Sequence, residues 1–117
     1  MTAETLDRLR AERDDALRLL AQLTGDLAGF VEASRDTNAD DEHDPEGATI
    51  AFERAQVSAL ERRTRQRLED VDEALDRLAA DDYGVCERCG QPIDPERLAV
   101  RPAARTCVAC AGVSRRR

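Results

Sequence analysis

The sequence predicts a mainly α-helical protein: a long antiparallel helical hairpin, or coiled coil, followed by a small four-cysteine zinc finger. Three observations carry that prediction. Apolar residues recur at alternating spacings of three and four over two stretches of about 30 residues each. A short acidic string rich in turn-forming Asp and Asn separates the stretches. Two Cys-x-x-Cys pairs then follow, Cys86 with Cys89 and Cys107 with Cys110.

The first seam reads Leu6, Leu9, Arg13, Ala16, Leu20, Leu23, Leu27 and Phe30, interrupted only by Arg13. Thr2 is the expected N-cap, and the helix is expected from about residue 3 to about residue 35. Between Asp36 and Asp44 the apolar positions vanish, which marks the connection. Asp44-Pro45-Glu46 starts the second helix: Asp can cap, Pro is preorganised at the first helical position, and Glu complements the positive helix end. Its seam reads Ile50, Glu53, Val57, Leu60, Thr64, Leu68, Val71, Leu75 and Leu78, with a four-plus-four step at Thr64. The end is expected near Asp82, before Gly84. Two such helices joined by a short polar loop fold back on each other, each arm about 45 Å long at ~1.5 Å per residue. No third long helix exists to complete a bundle, so a monomeric hairpin is expected, with pairing between chains as the competing arrangement.

At 117 residues and 13.0 kDa the chain is too short for a large catalytic core. Charged residues make up 37% against a usual value of about 25%, and aromatics only 3%, a balance that suits long solvated helices. Eighteen basic residues, all Arg, against 25 acidic ones give a net charge of -7, which disfavours nucleic-acid binding through the surface as a whole. The charge is uneven. Asp36 to Glu46 holds six acids and no Arg, whereas Gly84 to Arg117 holds seven Arg and three acids. Nowhere do roughly 18 apolar residues run together, so the expectation is a soluble, cytoplasmic protein with no membrane partner.

In a reducing compartment two close cysteine pairs point to metal rather than to disulfides. The pairs are separated by seventeen residues, enough for two knuckles to converge on one tetrahedral Zn²⁺. Gly90 directly after Cys89 fits a turn that needs positive φ, and Pro92, Pro95 and Pro102 punctuate the segment between the pairs. Little independent core is expected there, so metal binding should supply much of the folding energy. Four thiolates leave no open coordination position, which makes the zinc structural and argues against an enzyme.

Asp82-Tyr83-Gly84-Val85-Cys86-Glu87-Arg88-Cys89-Gly90-Gln91-Pro92-Ile93, then Arg97-Leu98-Ala99-Val100-Arg101-Pro102-Ala103 and Cys107-Val108-Ala109-Cys110, resemble the DksA/TraR zinc-finger family closely. Outside the finger the match is one of pattern. The resemblance implies a coiled coil with an acidic tip at 1-82, the tip near 36-48, then the finger at 83-112 with a short C-terminal helix and a basic tail at 113-117. It also implies a bacterial transcription regulator that binds RNA polymerase directly. The coiled coil would enter the secondary channel toward the active centre, with no sequence-specific DNA binding.

The family's tip carries an Asp-x-x-Asp-x-Ala pattern, and two registers fit here. Asp41 and Asp44 match the paired aspartates, with Glu46 where Ala is expected. Alternatively Glu46 and Ala48 supply the acid-x-Ala element, and His43 stands at the first aspartate. Asp44 is also the cap of the second helix, which leaves Asp41 freer to meet a partner. The alarmone ppGpp, with which family members often act, needs basic side chains from the coiled coil. Arg62, Arg63, Arg65 and Arg67 are the candidates, while Asp70 occupies one position where a basic residue is expected, so ppGpp response is in question. Arg88, Arg97, Arg101, Arg105 and the terminal Arg115, Arg116 and Arg117 make the finger end basic, either to meet acidic surface or to offset the formal -2 charge of a Zn(Cys)₄ site. Two other readings stand beside the regulator: a zinc-ribbon interaction or dimerisation module with another partner, and transcript cleavage in the manner of Gre factors.

Overall fold

The computed structural model describes residues 3–37 and 45–112. Thr2, the tip residues Asp41, His43 and Asp44, and the tail 113–117 lie outside the described residues. The two periodic stretches form α1, Ala3–Thr37, and α2, Pro45–Ala79, each of 35 residues. Two short helices follow, α3 at Pro95–Val100 and α4 at Val108–Ala111. Among the described residues there is no strand, only an isolated antiparallel bridge between Val85 and Pro92. No helix among them is long and apolar enough to cross a membrane.

Burial follows the expected seams. Leu9, Ala16, Leu23, Thr64 and Val71 are buried, and the other seam positions are half-buried except Glu53, which is exposed. The polar seam residues are accommodated in different ways. Thr64 turns its hydroxyl back to the Leu60 carbonyl at 2.8 Å, so no polar atom is left unpaired. Arg13 sends Nε to Asp72 Oδ1 at 2.7 Å.

α2 starts at Pro45, as its missing N–H and fixed φ favour. It stops at Ala79, three residues before the position the sequence suggests. Asp81 takes the left-handed conformation with φ 62, Asp82 N donates to Arg77 O at 2.8 Å, and Asp81 N donates to Leu78 O at 3.2 Å. That pair of bonds is a Schellman cap closed by Asp in the place where Gly is commonest.

The chain divides into two compact units. One joins Met1–Asp15 to Arg67–Arg117, so the finger shares it with the first part of α1 and the last part of α2. There the two helices run antiparallel, and Leu9, Val71, Ala74 and Tyr83 form a core against which Leu75, Leu78, Leu98 and Ala103 pack. Arg13–Asp72 and Arg67–Glu12 ion pairs, both at 2.7 Å, flank it. Their side chains are a third to a half exposed, so each contributes less than about 1 kcal/mol and the apolar contacts dominate. The other unit, Ala16–Gln66, buries Ala16, Leu23 and Thr64 and carries an Arg65–Glu61 pair one helical turn apart at 2.7 Å. Its Phe52 is 64% exposed.

This division of burial sets a test. Leu9→Ala, at a position with no solvent exposure, should lower stability by about 3 kcal/mol in urea unfolding. Phe52→Ala should stay within about 0.5 kcal/mol of wild type.

Candidate metal centre

The first cysteine pair sits in a tight turn built by backbone bonds. Cys86 N donates to Gln91 O at 2.9 Å, Gly90 N to Cys86 O at 2.9 Å, and Ile93 N to Gly84 O at 2.8 Å. Gly84 (φ 86) and Gly90 (φ 77) supply the two positive-φ positions this path requires, and Gly90 is the one that the sequence pattern marks. Cys89 N points back at Cys86 Sγ, 3.5 Å away. The second pair brackets α4: Cys107 immediately precedes it, Cys110 lies within it, and Ala111 N donates to Cys107 O at 2.9 Å.

α3 lies between the pairs, where no helix was expected from sequence. Asp94 caps it by accepting from Glu96 N at 3.0 Å, with Pro95 in the first position. Asp94-Pro95-Glu96 repeats the Asp-Pro-Glu signal that starts α2, so the information was present. The prolines that read as punctuation include a helix start. α4 is the short C-terminal helix that the family resemblance implies.

The four Sγ atoms lie within 4.8 Å of one another, and Cys89 and Cys107 are 3.9 Å apart. Thiolates bound tetrahedrally to zinc at about 2.3 Å are about 3.8 Å apart, so the donor set fits one Zn²⁺. Cys86 is buried, Cys107 and Cys110 are half-buried, and Cys89 is exposed. Burial would push the Cys86 thiol up, but backbone N–H groups of Cys107, Cys89 and Arg88 together with the Cys89 side chain bring it down to about 6. Burial, reinforced by the other three sulfurs, pushes Cys110 up to about 12. Four thiolates this close need a cation to ionise together, and a dication supplies that charge.

The arginines of the finger end separate into two kinds. Arg105 reaches α2, with Nη2 2.9 Å from Asp70 Oδ1 and Nε 2.9 Å from Glu73 Oε1, the latter a close ion pair without hydrogen-bond alignment. Arg97 Nε donates to Thr106 O at 2.9 Å. Both are therefore occupied in holding the finger together. Arg88 and Arg101 are exposed. Asp70, the acid at an expected basic position, is the partner of Arg105, a role that sequence alone does not disclose. Among the tip residues, Glu46 falls in the first turn of α2 and Ala48 is exposed.

Fold and site together define a small C4-type zinc-finger protein built on two long helices. Residues 81–116 match the model of the prokaryotic dksA/traR C4-type zinc finger. The solved structure of transcription factor DksA2 from Pseudomonas aeruginosa aligns over 94% of this chain and 84% of its own, with 31% identity and a TM-score of 0.53. The chain belongs to the DksA/TraR family of C4-type zinc-finger proteins, and its four cysteines hold one structural zinc ion. General stress protein 16O of Bacillus subtilis is 36% identical over 72 residues, 62% of this chain and 44% of its own length. The RNA polymerase-binding transcription factor DksA of Haemophilus influenzae is 36% identical over 70 residues, 56% of this chain and 48% of its own. The chain thus spans about half the length of these curated relatives.

Because zinc takes thiolates and Cys110 enters as a thiol at neutral pH, binding must release protons. Apparent zinc affinity should therefore fall as pH drops from 8 toward 6, where Cys86 also protonates. Calorimetry in two buffers of different ionisation enthalpy measures the protons released. Equal heats in both buffers would contradict the thiol assignment, and Cys86→Ser should lose the tight site.

Proposed function

We propose that this protein is a non-enzymatic, cytoplasmic transcription regulator that binds RNA polymerase directly. Its helical tip is presented through the secondary channel to modulate initiation, without reading promoter sequence. The observation that carries the reading is the joint likeness of finger and helices, 31% identity over 94% of the chain, to a transcription factor. Curated relatives named as RNA polymerase-binding transcription factors support the choice of partner. The match of the finger to the dksA/traR zinc-finger model favours a regulator over transcript cleavage in the manner of Gre factors.

In this reading the acids of the tip, Asp41, Asp44 and Glu46 beside Ala48, meet basic groups or a metal ion near the polymerase active centre, where oxygen ligands and negative charge are favoured. The coiled-coil arginines offer little for ppGpp. Of the candidate arginines, Arg67 is paired with Glu12 and Arg65 with Glu61, and Asp70 with its negative charge faces Arg105. Arg62 and Arg63 are exposed.

The test is in vitro transcription with wild type and with Asp41→Asn combined with Asp44→Asn. The double variant should bind core polymerase as wild type does and lose its effect on initiation. Unchanged regulation would make those acids dispensable, and failure of wild type to bind polymerase would remove the reading altogether, leaving an interaction module for a different protein.

A further inference from the structure

The segment that delivers the second cysteine pair is tied down by bonds that do not involve metal. Pro102 O accepts from the Tyr83 hydroxyl at 2.7 Å, and the Arg105 carbonyl accepts from Glu87 N at 2.9 Å. Thr106 O accepts from Arg97 Nε at 2.9 Å, and Arg77 Nη2 lies 3.5 Å from Ala104 O. Arg105 adds the charged contact, spanning Asp70 and Glu73 one turn apart on α2 at 2.9 Å each. Its Nε and the facing Glu73 Oε1 are both removed from solvent, where attraction is screened less than at the surface, although the Arg105, Asp70 and Glu73 side chains as wholes are 30%, 31% and 44% exposed. Beneath these bonds Leu98 and Ala103 of the finger pack against the core cluster of Leu9, Val71, Ala74 and Tyr83. The segment between the cysteine pairs therefore has a core to fold against, shared with α1 and α2, beside whatever the metal contributes.

We propose that Arg105 is a metal-independent clamp that keeps the finger docked on α2, so that loss of zinc frees the cysteine turns without detaching the finger. Zinc and clamp then divide the work. The metal closes the two turns on each other, and Arg105 with the Tyr83 core fixes where the finger sits against the helix ends. A finger held in this way retains its orientation through cycles of zinc loss and reloading.

Tyr83 reports on docking directly, because it is the single tyrosine in a chain without tryptophan, and it is buried. Acrylamide quenching of tyrosine fluorescence is measured on the full chain under reducing conditions, before and after zinc removal with a chelator. Wild type should keep Tyr83 protected in both states. Arg105→Met, which retains an apolar stem, should keep it protected with zinc and lose protection without zinc, reaching the quenching of the urea-unfolded chain. Exposure already in the zinc-loaded variant supports the clamp as well, provided far-UV circular dichroism still shows the long helices. Asp70→Asn with Glu73→Gln removes the clamp from the helix side and must reproduce the metal-free result. Loss of protection in metal-free wild type, or retained protection in both sets of metal-free variants, overturns the proposal.

Discussion

Tyr83 joins the finger to the helices through both ends of its side chain. The ring belongs to the core with Leu9, Val71 and Ala74, and the hydroxyl donates to Pro102 O across nineteen residues of finger sequence. Burial pushes its phenol up, only partly offset by Arg8 and Arg77, so the neutral donor is the form that the fold holds. The placement of the metal turns depends on this contact. Gly84, Val85 and Cys86 follow, and the chain returns from Pro102 to the second cysteine pair along a path held to α2 by Arg105 and Arg77. Arg8, by bonding to the Ala99 carbonyl, ties the start of α1 to the end of α3 beside it.

The features legible in the sequence are those with a short period or a fixed spacing. The two seams, the Pro45 start, the positive φ of Gly90 and the four-cysteine site follow from local rules, and the structure agrees with each. What escaped has physical reasons. Gly is the usual mark of a helix end, but at the end of α2 Asp81 accepts the left-handed conformation, as short polar side chains do more readily than others. α3 was hidden because three prolines read as breaks, although Pro95 with Asp94 before it is a start signal. Ala74, fully buried, is left out by a strict three-four seam, although with Val71, Leu75 and Leu78 it completes the wider i, i+3, i+4, i+7 stripe of a core-facing helix. The pairing of Asp70 with Arg105 joins residues 35 positions apart, and nothing local announces it.

The uneven charge of the chain acquires a structural meaning at the finger end. Arg97 and Arg105 are bonded within the fold, so their charge is committed to holding the finger rather than to a partner. Arg88 and Arg101 remain exposed. The metal is similarly inward in its role: four thiolates close its coordination, and its chemistry ends at shaping two turns. The proposed effect on transcription is therefore assigned to surfaces away from the metal, among them the acidic stretch between α1 and α2 with its six acids and no Arg.

The most direct test of that account is a contact measurement. A photo-reactive residue placed at the exposed position Ala48, in the zinc-loaded chain bound to core RNA polymerase, should cross-link to the large catalytic subunits near the active centre. A competitor that fills the secondary channel should abolish the cross-link. A cross-link to the outer surface of polymerase, or one that the competitor leaves unchanged, would contradict the claim that the tip is the working end of the molecule.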